Sequence, residues 1–181
     1  AFRTGIAGIP QFLDFLIENA EALYRRDEAT MEHLIVVCGQ AQIESAGNRE
    51  AGGSARSRTL DRPLKWAHWL ETRTAHTVRY GEALSIGLVL DMLIAENRGE
   101  IEPDLCRSAV MAISTCGLPV WHPALIQRKA GRLSVYEAVD SRESTAGANL
   151  SYEEVERAVF RMHDMKQGMD AAMMRLSDHS S

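Results

Sequence analysis

His68 and Glu71 stand three residues apart, so on a helix they share one face, and His76 follows soon after. Two imidazoles and a carboxylate are donor types that Zn²⁺ accepts while keeping a position open for water or substrate. His68, Glu71 and His76 are therefore a candidate metal set, provided that the chain after Glu71 folds back on the helix. The same spacing also arises as a plain helix-surface pair, with His68 packed between Trp66 and Trp69 and a ring N–H given to backbone. Arg62, Lys65, Arg73 and Arg79 surround the cluster as a basic group, which either holds a phosphate or forms a solvated face. Glu82, directly after Gly81, falls where a helix dipole stabilises a carboxylate. Cys116 has no neighbouring base that would make it a nucleophile, and Trp121-His122-Pro123 reads as a turn with Trp121 anchored in the core.

The elements that must position these residues read as helices. From Tyr80-Gly81-Glu82 the apolar residues Leu84, Leu88, Met92 and Ala95 fall at helical spacing, and Ile86, Val89, Leu90 and Leu93 widen the stripe until it covers most of the helix. Such a helix is buried, and it stops near Asn97-Arg98-Gly99 at a glycine cap. A shorter helix from Asp61-Arg62-Pro63 carries the Trp/His cluster, and Thr74 to Arg79 links the two. Helices are also expected over Gln11–Tyr24, Glu28–Ala46 and Glu102–Thr115, with Gly47–Thr59 as a polar, mobile loop between the second of these and the cluster. Pro123–Ala130 reads as one or two more helical turns, Arg132–Val139 as a short strand or extended segment, and Ser141–Asn149 as a loop. Ser151-x-x-Glu154 has the form of a capping box and opens a last helix to about Leu176. Its methionine stripe suits a plastic core or an oligomer seam.

The central stretch resembles the metal-and-substrate domain of the 3-dehydroquinate synthase family of sugar-phosphate cyclases. Arg62, Leu64, Trp66, Ala67, His68 and Trp69 are similar to the family's R-x-L-x-F-G-H-W/T run, and Tyr80 to Gly87 to its H-G-E-A-V-A-I-G. Asn19 to Leu23, Met31 to Ile35 with Cys38, and Cys116 to Leu125 resemble its flanking helices and its G-L/F-P-L-W-H-P-A-L segment, so the likeness covers roughly residues 2–125. It implies a mostly α, multi-helix domain like the family's C-terminal domain. The implied chemistry is NAD- and Zn-dependent cyclisation of a seven-carbon sugar phosphate with loss of phosphate. Of the family's ligands, one Glu and two His, only His68 has a clear counterpart. Tyr80 stands at the second His, and the Arg3-Thr4-Gly5-Ile6-Ala7 segment continues with Gly8 where the Glu is expected. The His68–Tyr80 interval is short, and Thr72 falls where a further active-site His is expected. By the same resemblance Arg62 stands at a basic residue that contacts substrate and Glu82 lines the site, and Lys65, where the family has Asn or Asp, is the third candidate substrate-side residue.

No strand-G-x-G-x-x-G-helix unit is present, so NAD would have to come from a separate nucleotide-binding domain, and the chain is expected to be inactive alone. An N-terminus without an initiator Met or a signal-peptide layout reads as a fragment or processed chain. The expected organisation is a cyclase-like helical domain over 1–130, a loop or extended segment over 131–150, and a helix over 151–176 packed on the same domain. With 45% hydrophobic and 25% charged residues, 181 residues suffice for one core. A net charge of -5 with interleaved signs argues against nucleic acid or an anionic membrane as partner. Cys38, Cys106 and Cys116, without a CxxC spacing, read as free thiols of a cytoplasmic protein. The alternative function is a non-catalytic interaction module that forms a homo-oligomer through the last helix or the long central one.

Overall fold

The structure, a computed structural model, describes residues 1–50, 62–129, 132–135 and 150–178. Among these the chain forms eight α-helices, a 3₁₀ turn and a two-stranded hairpin. The helices are α1 (Phe2–Gly8), α2 (Pro10–Glu18), α3 (Ala20–Tyr24), α4 (Glu28–Glu50), α5 (Arg62–Arg73), α6 (Tyr80–Asn97), α7 (Pro103–Thr115) and α8 (Tyr152–Asp178). The hairpin pairs β1 (Ile126–Lys129) antiparallel with β2 (Arg132–Val135), Ile126 opposite Val135 and Lys129 opposite Arg132.

α6 is the axis of the domain. Ala83 and every residue from Ser85 to Ala95 are buried, as expected for a helix apolar on all sides. α5 packs on it through Pro63, Ala67 and Leu70 (i, i+4, i+7), with Trp66 and Trp69 half-buried beside them, and leaves Lys65, His68 and Thr72 to solvent. Gly87 permits this approach: a Cβ there would lie 2.7 Å from the Pro63 carbonyl oxygen and 2.8 Å from Trp66 Cβ. α8 covers another side of α6 with Val155, Ala158, Val159 and Met162, and α7 a third with Cys106, Ala109, Val110 and Ile113. α2 and α3 close over α7. Gly5 plays a smaller part of the same kind, since a Cβ there would stand 3.0 Å from the Leu13 backbone.

Several boundaries differ from those expected. The single helix over Gln11–Tyr24 is two helices, broken at Asn19, whose side-chain amide donates to the Phe15 carbonyl at 2.9 Å. α1 was not foreseen, being too short for a periodic pattern to show. α4 runs on through Glu50, so the start of the expected Gly47–Thr59 loop is helical, and the rest of it lies outside the described residues. Pro123–Ala130 gives only the 3₁₀ turn Pro123–Leu125 before entering β1. The Ser141–Asn149 loop lies outside the described residues.

Helix ends follow local chemistry. Gly99 (φ 72°) lets Glu100 N–H reach the Ala95 carbonyl at 2.8 Å, and Gly117 (φ 77°) does the same for Leu118 and Ile113 at 3.2 Å. Asp27 caps α4, accepting from Thr30 N–H at 3.0 Å and from its hydroxyl at 2.6 Å, which holds the Asp27 carboxyl below the usual range. The capping box at α8 is complete: Ser151 N–H donates to Glu154 at 2.8 Å and Glu154 N–H to Ser151 Oγ at 3.2 Å. No helix among the described residues is long and apolar enough to cross a membrane.

Candidate functional site

Because Pro63, Ala67 and Leu70 face α6, Lys65, His68 and Thr72 fall on the solvent side of α5. His68 is exposed there, not packed between Trp66 and Trp69, and Glu71 is half-buried. The helix ends in a Schellman turn: His76 N–H donates to the Glu71 carbonyl at 2.8 Å and Ala75 N–H to the Thr72 carbonyl at 3.2 Å. Ala75 (φ 48°) and His76 (φ 60°) both take the left-handed conformation without being glycine, a strained arrangement that Thr74 helps hold through its hydroxyl bond to the Leu70 carbonyl at 2.8 Å. The chain therefore does fold back at His76, but through its backbone. Among the described residues no three His, Cys, Asp or Glu side chains gather as a group able to hold a metal.

The start of α6 faces the same region. Tyr80 is the first helical residue and half exposed. Glu82 turns back to accept the Arg79 backbone N–H at 3.0 Å, so its carboxylate serves as half of a capping box. Lys65, Arg73 and Arg79 are exposed, as a solvated basic face would be. Ser85 ties α6 to the later motif, donating to the Pro119 carbonyl at 2.9 Å. His122 Nδ1 accepts from Ala124 N–H at 3.1 Å as the cap of the 3₁₀ turn, and burial lowers its pKa, keeping the ring neutral at pH 7. The Cys116 thiol lies 3.5 Å from the Ala20 carbonyl, and burial raises its pKa, which suits a structural thiol rather than a nucleophile.

The opposite end of α6 holds a second set of polar groups, which no spacing in the sequence brings together. Arg98 clasps Glu154 with two bonds, Nε to Oε1 at 2.7 Å and Nη2 to Oε2 at 3.0 Å. Arg98 and the Ser151 amide together hold the Glu154 carboxyl down to about 2. Two residues earlier, the Glu96 side chain, 6% exposed, takes a 2.7 Å bond from Arg161 of α8. Cys106 lies beside it, and burial with the Glu96 carboxylate pushes this thiol up to about 12. Two grooves flank α7, one toward α8 and one toward α2 and α3, and neither is lined by Lys65, His68, Glu71, His76 or Glu82. The capping signature pointed to Glu154, but its partner lies 56 residues away and carries no local signal.

A multi-helix domain wrapped around one buried helix, with a tryptophan- and histidine-bearing helix laid across a glycine at its middle, is the class of structure these contacts define. The chain belongs to the family described as 3-dehydroquinate synthase C-terminal, which it matches over residues 1–142. It is 28% identical over 126 residues to 3-dehydroquinate synthase of Halorhodospira halophila, covering 68% of this chain and 35% of that protein. To that of Thermobifida fusca it is 31% identical over 124 residues, 67% of this chain and 33% of the relative. With that of Sinorhizobium medicae it shares 29% over 121 residues, 65% and 31% of the two chains. The chain thus spans about a third of the length of the curated relatives it matches. No solved structure matches it.

Proposed function

We propose that the chain is the metal- and substrate-side half of a 3-dehydroquinate synthase-like sugar-phosphate cyclase, a phosphate-eliminating lyase, and that it does not turn over by itself. The observation that carries this reading is the α5–α6 pair. Gly87, which stands at the glycine of the family's A-I-G, gives α5 its close seat on α6, with Pro63, Trp66 and Ala67 of the Arg62–Trp69 run set against the middle of that helix. In this reading Arg62 and Lys65 supply positive charge toward a seven-carbon sugar phosphate. Glu82 fixes the start of α6 instead of touching substrate. NAD comes from a separate nucleotide-binding domain.

A resident Zn²⁺ does not fit the donors on hand. A phenol at Tyr80 is a poor ligand at neutral pH, Gly8 offers no side chain, and His68, Glu71 and His76 do not gather. No step is assigned through a metal here. Calorimetric titration with Zn²⁺ beside the His68→Ala variant tests this, with no heat of binding expected from either protein. One-to-one binding lost in the variant would return His68, Glu71 and His76 to a metal role. The lyase reading itself is tested by phosphate release from a seven-carbon sugar phosphate with NAD present. Release is expected only when a nucleotide-binding half is added, and release by the chain alone would overturn the proposal.

The second reading, a non-catalytic module that pairs with another copy, is favoured by one observation. α6 is enclosed by its own domain and has no face to offer, whereas α8 continues past its buried half with Met174 71% exposed. Sedimentation equilibrium would support this reading through a dimer that Met174→Lys dissociates, and a monomer at all concentrations would remove it.

A further inference from the structure

The groove between α6, α7 and α8, about 300 Å³, lies away from the α5–α6 cluster. Its walls are largely apolar, with Leu93 at the base and Met111, Met165 and Met169 at the sides. The charged residues lining it are Glu96, Arg107 and Arg161. Glu96 is more than nine-tenths buried, and its oxygens are unequally served: Oε1 takes the Arg161 bond, while Oε2 is shut from solvent and the carboxylate has only the weak Cys106 thiol donor beside it. A buried carboxylate oxygen without a strong donor is a costly arrangement that a ligand can relieve. The methionines beside it are unbranched, so they can move aside for an incoming group.

The charges select the ligand. Two arginines against one glutamate disfavour a cation, and an anion would meet Glu96. A neutral hydroxyl satisfies both signs, donating to the glutamate and accepting from Arg161. Methionine sulfur makes favourable contacts with ring edges, and a groove of this size, at the lower end for ligand sites, suits a single ring. We propose that this groove binds a small aromatic alcohol, with its ring against Met111, Met165 and Met169 and its hydroxyl donating to Glu96.

The test is a titration of the full chain, carrying ¹³C-methyl methionine, with phenol and separately with toluene. Phenol should shift the Met111, Met165 and Met169 methyls saturably and leave Met31 unmoved, and toluene should bind about tenfold or more weaker for want of the donor. Gly168→Leu is the matching variant. Gly168 lines the groove and a Cβ there meets nothing within 4 Å, so the fold should be kept while the groove is filled. Phenol affinity should then fall about tenfold or more, at a urea midpoint equal to or above the parent's. Equal binding of phenol and toluene, shifts spread to Met31, or undiminished affinity in Gly168→Leu would each overturn the proposal.

Discussion

The two ends of α6 are held by different forces. Toward its N-terminus the helix is fixed by shape: Gly87 leaves room for Pro63 and Trp66, and Ala67 and Leu70 fill the contact. The polar residues of α5 point away from this contact, so changing them costs the fold little. At the C-terminal end, charge joins the packing, with Arg98–Glu154 and Glu96–Arg161 fastening α6 to α8. The end where the family resemblance locates chemistry is therefore the end where side chains are free to vary. The end without any such motif carries the most demanding electrostatics.

The contrast can be broken from either side. Gly87→Ala should have the largest effect, lowering stability by about 2 kcal/mol as read from urea midpoints, because the new methyl meets backbone at 2.7 Å. Gly168→Ala, on an open helix surface, is the control and should gain roughly 0.5–1 kcal/mol. If Gly87→Ala were also stabilising, close seating of α5 would not be what holds that end.

Arg98→Ala should cost nearly as much, about 1–2 kcal/mol, by leaving Glu154 half-buried without its cation. The same pair predicts the acid response. The folded Glu154 carboxyl sits at about 2 against an ordinary 4.5, so its contribution is fully present above about pH 4.5 and is lost as pH falls toward 2. Urea midpoints at pH 5 and pH 3 should differ less in Arg98→Ala than in the parent chain, and equal slopes would sever the link to this pair. The smallest effect belongs to His68→Ala, which should change stability by no more than about 0.5 kcal/mol because the side chain is exposed. A large loss there would mean that His68 supports the fold after all.

Much of this was legible in the sequence wherever the signal is local. The unbroken apolar pattern after Ala83 announced α6, Gly99 its end, and Ser151-x-x-Glu154 the start of α8, each by a mechanism confined to a few neighbouring residues. The break at Asn19 escaped because its side-chain amide joins its own backbone N–H on the Phe15 carbonyl, a local bond that leaves the apolar spacing unaltered. Among site residues, His68 and Glu71 do share a helix, and His76 does fold back. Helical periodicity could not reveal that Pro63, Ala67 and Leu70 would take the inner face and turn His68 outward, because Leu64, Trp66 and Trp69 spread apolar side chains around much of the helix. Glu96, Cys106 and Arg161 meet from three separate helices, a conjunction that no spacing rule records.

The family match ends at residue 142, yet Val155, Ala158, Val159 and Met162 of α8 complete the same core and Glu154 secures the end of α6. The stretch that inheritance records is thus shorter than the stretch that must melt as one. A chain cut where the likeness stops would uncover one flank of α6 and strand Arg98 and Glu96 without their partners. It would keep most of the family's signature and lose the cooperativity of the domain.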